Sequence, residues 1–349
     1  VLSGDSLKKY FTGFLSIFLL AILAQFVSSY AGFKNLGLET VLFSLLVGLL
    51  IGNLFRLPAW LRSGVQTELY VKIGLVLLGA TILFMDILSA GGYGLLQAII
   101  VVTVVWYFAF WLSRKMKIDD EFSTMLASAV SICGVSAAIA TAGAINGDKK
   151  KLSFIISLVL IIAIPMMIFL PIIAKWMGLS DVVTGAWLGG TIDTTGAVVA
   201  AGTIAGETGL QYATIVKFSQ NVLLGLAAFA ISIFWAYRGR GANEKGQHVP
   251  VRIIWDRFPK FVLGFILASL VFSFVLSQET AEASGKVIKS FSTFWFNLAF
   301  ISIGLETRFA DFKHMESKKP FYSFLIAQTF NIFFTLGVSY LLFQLIGGK

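Results

Sequence analysis

Two long segments of this chain are built mainly from small and hydroxyl-bearing residues, whereas the segments around them are rich in Leu, Ile and Phe. They cover residues 123–145 and 181–206. In hydrocarbon each backbone N–H and C=O group must find a partner, so weakly helical segments persist there only when they are buried in protein or line a cavity. We therefore expect a substrate to bind at these two segments.

The composition places the chain among multi-spanning membrane proteins. Hydrophobic residues make up 57% of the sequence and charged residues 13%, and the mean hydropathy is +0.86, far from the values of a soluble domain. Since one membrane helix needs about 20 apolar residues, we predict an all-α polytopic fold forming one integral-membrane unit over residues 1–349. The eleven predicted membrane elements cover residues 11–30, 38–55, 70–88, 94–113, 123–145, 152–176, 181–206, 212–237, 258–276, 289–305 and 321–346.

The placement of the basic residues predicts a cytoplasmic N-terminus, because Lys and Arg concentrate in cytoplasmic loops. Lys149, Lys150 and Lys151 fit this rule poorly if both small-residue segments cross the membrane. They fit better if the segments are re-entrant hairpins that enter from opposite faces. The sequence leaves both arrangements open.

The charge and the metal-binding residue types also exclude some functions. The formal net charge is +9, but the basic residues are scattered over many short loops, which favours contact with anionic lipid headgroups and disfavours nucleic-acid binding. Two histidines and one cysteine are too few for a Cys/His metal cluster. We expect no metal centre and no cofactor apart from a coupling ion.

A weak internal repeat suggests two copies of opposite orientation. Gly79, Phe84 and Asp86 have the same spacing as Gly304, Phe309 and Asp311, and the helices that carry them are predicted to run in opposite directions. Opposed copies are typical of transporters with inverted repeats, whose substrate binds between broken helices. Short apolar segments also match one another by chance, so this repeat stays open.

The first small-residue segment contains a predicted helix break. Gly134 is the least helix-favouring residue of the stretch 131–136, and Ser131, Cys133 and Ser136 flank it. A helix that begins after Gly134 would present unpaired N–H groups and the positive end of its dipole to an anion.

The second segment has a similar pattern. Gly190 precedes Thr191, Asp193, Thr194 and Thr195, which are residue types that favour helix N-caps. An ionisable group at membrane depth is costly, so Asp193 is a candidate for binding a coupling ion. The alternative is that the glycines serve close helix packing, since the pairs 185/189 and 202/206 fit the GxxxG pattern.

Four polar residues on two later helices extend the candidate site. Lys217 and Asn221 are four residues apart and share one helix face. Lys217 could neutralise a bound anion or pair with Asp193, or it could extend toward the membrane surface. Gln328 and Asn331 are predicted to form hydrogen bonds between helices.

Three segments resemble the signatures of the YeiH-type sulfate exporter family of bacterial inner-membrane proteins. They are residues 131–138 (SICGVSAA), 189–202 (GGTIDTTGAVVAAG) and 216–221 (VKFSQN), and the likeness extends through residues 73–80 and 302–307. The resemblance implies membership in the wider group of cation/proton antiporters and bile-acid-type carriers, with inverted repeats, crossed broken helices, a homodimeric assembly and a sulfur oxyanion as substrate. Asp193 and Thr194 stand where many members carry His-Glu.

The sequence thus predicts a secondary carrier for a small anion that works by alternating access with H⁺ or Na⁺ coupling. The predicted substrate-binding residues are Ser131, Cys133, Gly134, Ser136, Gly190, Thr191, Thr194, Thr195, Lys217 and Asn221, and Asp193 would bind the coupling ion. A carrier for an organic acid or amino acid, and an anion channel, remain as alternatives. An intramembrane enzyme is disfavoured because the sequence has no catalytic motif such as HExxH.

Overall fold

The structure is a computed structural model, and it describes residues 4–28, 40–55, 57–237, 260–307 and 318–346. Every regular element in these ranges is a helix, which confirms the predicted all-α class. The first seven helices are α1 (Gly4–Ser28), α2 (Thr40–Leu54), α3 (Ala59–Gly64), α4 (Thr67–Gly79), α5 (Phe84–Lys115), α6 (Asp120–Ser128) and α7 (Val135–Ile145). The remaining α-helices are α8 (Lys149–Trp176), α9 (Asp181–Thr191), α10 (Thr195–Ala205), α11 (Glu207–Tyr237), α12 (Phe261–Leu270), α13 (Gln278–Glu306) and α14 (Lys318–Ser339). Short π-helical segments cover Ala129–Cys133, Val271–Val275 and Tyr340–Ile346.

Six of the described helices are long and apolar enough to cross a membrane. The stretches that meet this test are Tyr10–Val27, Ala90–Lys115, Lys150–Trp176, Glu207–Trp235, Glu279–Glu306 and Lys318–Ile346. The length and composition of these six helices confirm the prediction of a multi-spanning membrane protein. The cytoplasmic N-terminus and the inverted repeat stay predictions, and Phe309 and Asp311 of the second copy lie outside the described residues.

The structure differs from the sequence prediction over residues 70–88, where two helices replace the single predicted element. Helix α4 ends at Gly79 and α5 begins at Phe84. The hydroxyl of Ser269 donates to the Ile82 carbonyl at 2.6 Å, and the Ser273 hydroxyl accepts the Phe84 N–H at 3.0 Å. These side chains supply the partners that an interrupted helix loses, so the break persists although the run of apolar residues is continuous.

The chain folds into two compact units. The first contains residues Val1–Asp86 and Lys260–Asp311, and the second contains Ile87–Pro259 and Phe312–Lys349. In the first unit α2 and α13 approach closely, because a side chain at Gly48 would collide with the Ile301 carbonyl. That the whole chain acts as one membrane unit stays a prediction.

The second unit contains both small-residue segments. Its long helices are α8, α11, α14 and the greater part of α5, and the short pairs α6–α7 and α9–α10 lie between them in the chain. We call residues 120–145 hairpin A and residues 181–205 hairpin B.

Candidate functional site

Hairpin A bends at a glycine, as predicted. Helix α6 passes into a π-helical turn over Ala129–Cys133, and Gly134 follows with φ 57° and ψ −110°. The Gly134 N–H donates to the Ala129 carbonyl at 2.9 Å, and α7 starts at the next residue. Glycine alone adopts this backbone conformation without strain, so the position of the bend is fixed by the sequence.

The two ends of hairpin A lie side by side. The Glu121 carboxylate accepts the backbone N–H of Asp148, and the Lys151 ammonium bonds the carboxylates of Asp119 at 2.8 Å and Glu121 at 2.9 Å. Asp148 in turn caps α8 by accepting the N–H groups of Lys150 at 2.8 Å and Lys151 at 3.0 Å. The segment therefore returns to the side from which it started.

Two aspartates at this base, Asp148 and Asp119, have lowered pKa values. The pKa of Asp148 lies below its usual value because its carboxylate accepts the backbone N–H groups of Lys151 and Lys150. Partial burial alone would raise the pKa of Asp119, but the hydrogen bonds from Lys151 and from the Phe122 N–H outweigh it, and the pKa is lowered. Both acids are thus held in their charged form.

Hairpin B bends through an extended linker. Helix α9 ends at Thr191, Ile192 is extended with ψ 131°, and the hydroxyl of Thr194 accepts the Ala197 N–H at 3.3 Å as the N-cap of α10. This is the N-cap role that the run of threonines predicts.

The base of hairpin B is closed by small residues. A side chain at Gly209 would lie 2.7 Å from Cβ of Ala205 and 3.9 Å from the carbonyl oxygen of Asp181, and one at Gly185 would lie 2.5 Å from the Gly209 carbonyl oxygen. Gly206 reverses the chain with φ 102°. Both ends of this segment also lie together.

The two hairpins extend in opposite directions from a common level along α11. On one side Ala137 and Ala140 of hairpin A pack with Leu224 and Ala228 of α11. On the other side a side chain at Gly189 of hairpin B would collide with the Ala213 carbonyl near the start of α11. The segments are therefore opposed hairpins, which is one of the two arrangements that the sequence left open.

The tips of the hairpins meet. A side chain at Gly134 would lie 3.1 Å from Cβ of Asp193 and 2.7 Å from a methyl group of Val159. The bend of hairpin A and the linker of hairpin B therefore form one junction in the middle of the second unit.

Three side chains each bind a carbonyl oxygen from both hairpins. Lys217 donates to Ile132 and Ile192, both at 2.8 Å; Gln220 donates to Ser131 at 2.9 Å and Gly190 at 3.1 Å; Asn331 donates to Val130 at 3.1 Å and Thr191 at 3.2 Å. Gln328 adds a further bond to Thr191 at 3.0 Å. The carbonyl groups that two interrupted helices leave unpaired are thus satisfied by donors from α11 and α14.

Lys217 is the charged member of this set and is fully enclosed. Only 1% of it is exposed, and its third bond goes to the side-chain oxygen of Gln220 at 2.9 Å. Each helix C-terminus carries about half a negative charge, so two such ends balance one ammonium. Lys217 therefore acts as a built-in cation between the hairpins, and it does not extend to the membrane surface.

The other predicted site residues differ in their exposure to solvent. Ser136 is exposed, and Thr194 and Thr195 are half-buried. The buried ones are Ser131, Cys133, Gly134, Gly190, Thr191, Asp193 and Asn221. The exposed and half-buried hydroxyls belong to the first turns of α7 and α10 or to the cap before α10, so the accessible face of the junction is the one with the helix N-termini.

The predicted packing role of the glycines holds for part of hairpin B. A side chain at Gly185, Gly189 or Gly202 would lie within 2.9 Å of the backbone in the first two turns of α11. Gly206, by contrast, has open space around it and serves the turn. The predicted role of Gln328 and Asn331 as hydrogen-bonding partners between helices is confirmed.

Sequence reasoning gave no role to Gln97, which supports hairpin B from α5. Its amide nitrogen donates to the Ala186 carbonyl at 2.8 Å, and its oxygen accepts the Ser339 hydroxyl at 3.1 Å. Its position between apolar residues of a membrane helix was the available signal.

Comparison with known proteins gives the family. Residues 12–323 match the family model described as Conserved hypothetical protein 698. UPF0324 membrane protein NE0724 of Nitrosomonas europaea is 32% identical to this chain, over 88% of the chain and 73% of the relative. The chain belongs to the UPF0324 membrane-protein family.

Two more similar relatives are longer than this chain. UPF0324 membrane protein RB9488 of Rhodopirellula baltica is 40% identical over 98% of the chain, and a UPF0324 membrane protein of Nitratidesulfovibrio vulgaris is 37% identical over 98%. The chain spans 65% of the first relative and 61% of the second. No solved structure matches the UPF0324 chain. These family descriptions name a membrane protein and no substrate.

Proposed function

We propose that this UPF0324 protein is a secondary carrier of a small anion, which it moves across a bacterial inner membrane by alternating access. The observation that carries the proposal is the junction of two opposed hairpins inside a membrane protein. Interrupted helices are costly in a membrane and recur in carriers, where their N-terminal ends face anionic groups of the substrate.

The anion would bind at the accessible face of the junction. Helix α7 has no side-chain cap at its N-terminus, and the only side-chain cap of α10 is the hydrogen bond from Ala197 to Thr194. The remaining N–H groups of the two first turns, with the hydroxyls of Ser136, Thr194 and Thr195, would supply donors for several oxygens of one anion.

The buried residues would support this site from behind. The tips are formed by Ser131, Cys133, Gly134, Gly190 and Thr191. Lys217 would hold the two tips together, Asn221 would position the Thr195 hydroxyl, and Asp193 would bind the coupling ion, H⁺ or Na⁺. Because Lys217 already makes three hydrogen bonds, we assign it to holding the tips and not to the first contact with substrate.

The substrate class follows from the resemblance of the three signature segments to the YeiH-type sulfate exporter family. A sulfur oxyanion such as sulfate, sulfite or a sulfonate offers several acceptor oxygens, which suits a site made of N–H and O–H donors. We also propose a homodimer, again on the basis of that resemblance.

The test is uptake of labelled sulfate, sulfite and taurine into proteoliposomes that contain the purified full chain. We expect saturable uptake by the wild type and its loss in Gly134→Ala, because that side chain would strain the bend and collide with Val159. Gly337→Ala is the matched control, since Gly337 lies in α14 with no atom within 4 Å of the added methyl. Uptake that is unchanged by Gly134→Ala together with Asp193→Ala contradicts the proposal, and flux without saturation indicates a channel.

A further inference from the structure

The hairpin junction has many oxygen atoms without a hydrogen-bond partner. They are both carboxylate oxygens of Asp193, the hydroxyl oxygens of Ser131 and Thr191, and the amide oxygens of Asn221 and Gln328. At most 5% of each of these residues is exposed. Buried polar atoms are almost always paired, so unpaired oxygens on five side chains at one junction require an explanation.

The nitrogen donors at the same junction are, by contrast, already engaged. The nitrogens of Lys217, Gln220, Gln328 and Asn331 bond backbone carbonyls, and the Asn221 nitrogen donates to the Thr195 hydroxyl at 3.2 Å. For Gln328 this bond also fixes which end of the amide is the oxygen, because a backbone carbonyl can only accept. The part of the junction without partners therefore consists of carboxylate and amide oxygens and of two hydroxyls, which can also offer their oxygen as a ligand.

Unpaired oxygens of this kind are ligands for a cation. An ionised carboxylate that is buried without a hydrogen-bond partner is very costly. The Lys217 ammonium is near enough to attract Asp193, but its three hydrogens are bonded to other oxygen atoms. Carboxylate, amide and hydroxyl oxygens are the ligands that hard metal ions prefer. A proton on Asp193 would donate to one acceptor only, whereas a metal ion contacts several oxygens at once. A single carboxylate matches a single positive charge.

A site for a more highly charged metal is not indicated. The described ranges contain no group of three or more His, Cys, Asp or Glu side chains that could hold a metal ion, and Ca²⁺ sites usually combine several carboxylates.

We propose that the hairpin junction binds a monovalent alkali cation, with Asp193 as the charged ligand and with Ser131, Thr191, Asn221 and Gln328 as the source of neutral oxygen ligands. The coupling ion is thus an alkali cation, and five side chains at the junction supply its ligands.

The position of Asp193 also determines how the cation affects the anion, a step that rests on the proposed function. Asp193 lies directly before the N-cap of α10, and its Cβ is near Gly134, the N-cap of α7. An ionised Asp193 and a bound anion therefore compete for the same two positive helix ends. A cation on Asp193 removes this repulsion, so the two ions bind together, and each raises the affinity of the other by the same factor.

The cation site is tested first, without any anion substrate. The thermal unfolding of the purified full chain in detergent is followed while NaCl replaces choline chloride at constant chloride concentration and pH, and LiCl and KCl are tested in the same way. We expect a saturable rise in Tm for the wild type with at least one of these ions. We expect no rise in Asp193→Asn and a weakened response in Thr191→Val.

Ser232→Ala is the matched control, because Ser232 is a buried residue of α11 whose hydroxyl donates to the Ala228 carbonyl one turn before it. It should keep the wild-type response. A wild type that ignores all three ions, or an Asp193→Asn variant that still responds, overturns the cation site. A Tm that depends on pH and not on any of these ions overturns it in favour of a proton.

The coupling is tested by measuring the affinity for sulfate and sulfite with and without the cation that stabilises the protein. We expect the affinity to fall by about tenfold or more when that cation is removed, and to lose its cation dependence in Asp193→Asn. Anion affinity that does not change with the cation overturns the coupling and leaves the carrier proposal standing. Cation binding without binding of any tested anion overturns the carrier proposal and leaves the cation site standing.

Discussion

The two hairpins reach the same junction with different chemistry. Hairpin A bends at a glycine with positive φ after a π-helical turn, and its base is closed by charged side chains. Hairpin B bends at an extended linker with a threonine cap, and its base is closed by glycines. The shared feature is the set of carbonyl groups that both tips present to the same donors. The two hairpins are therefore held together by the donors that their tips share, and not by a sequence pattern common to both hairpins.

The largest expected effect comes from removing the donor that serves both hairpins. Lys217→Met leaves the carbonyls of Ile132 and Ile192 buried without their charged partner, and we expect the free energy of unfolding to fall by about 3 kcal/mol or more. In Lys217→Ala an ammonium ion fits the vacated place among three oxygens, so NH₄Cl should restore part of the lost Tm. Choline chloride serves as the control salt.

Thermal unfolding of the purified variants measures both effects. A Lys217→Met variant as stable as the wild type would show that the two tips hold together without the shared ammonium. A Lys217→Ala variant that recovers equally in choline chloride would show that the recovery is a general salt effect.

The sequence predicts where the two hairpins bend, but it does not predict which side chains their tips bind. The bends at Gly134 and before Thr194 were predictable, because glycine and N-cap residues act on the backbone next to them. The partners of the tips were not, because a backbone carbonyl carries no sequence signal. The nitrogen of Asn331 reaches the Val130 carbonyl across 201 positions of the chain.

The sequence also leaves open whether each small-residue segment crosses the membrane or turns back as a hairpin. A hairpin and a crossing segment contain the same small residues, and they differ only in where the chain goes after the bend. Lys151 decides this in hairpin A by bonding Asp119 and Glu121 near the start of the segment. The helix break within residues 70–88 was not predictable for a related reason. Hydropathy indicates which residues can lie in lipid, but it does not indicate whether the helix they form is continuous.

An intermediate effect is expected where a glycine of hairpin B packs closely against α11. In Gly189→Ala the new methyl collides with the Ala213 carbonyl, and overpacking against backbone costs about 1–3 kcal/mol. Gly337→Ala in α14 has open space and should be neutral or slightly stabilising, since alanine favours a helix more than glycine does. Chemical or thermal unfolding of both variants tests the difference. Equal stabilities would mean that α9 does not depend on close approach to α11.

The smallest effect is expected at the charged base of hairpin A, and it alone should depend on pH. The pKa values of Asp119 and Asp148 are lower in the folded protein than in free side chains. Their stabilising contribution is therefore present above the unfolded pKa and is lost as the pH falls below about 4 through the folded pKa. The ion pairs of Lys151 are partly exposed, so Lys151→Met should cost only about 0.5–1 kcal/mol near neutral pH. The Tm difference between wild type and Asp119→Asn/Asp148→Asn, followed from pH 7 downward, should shrink to zero at acidic pH, whereas the Tm difference caused by Gly189→Ala should not change. A difference that persists at low pH would mean that hairpin A is closed by packing, as hairpin B is.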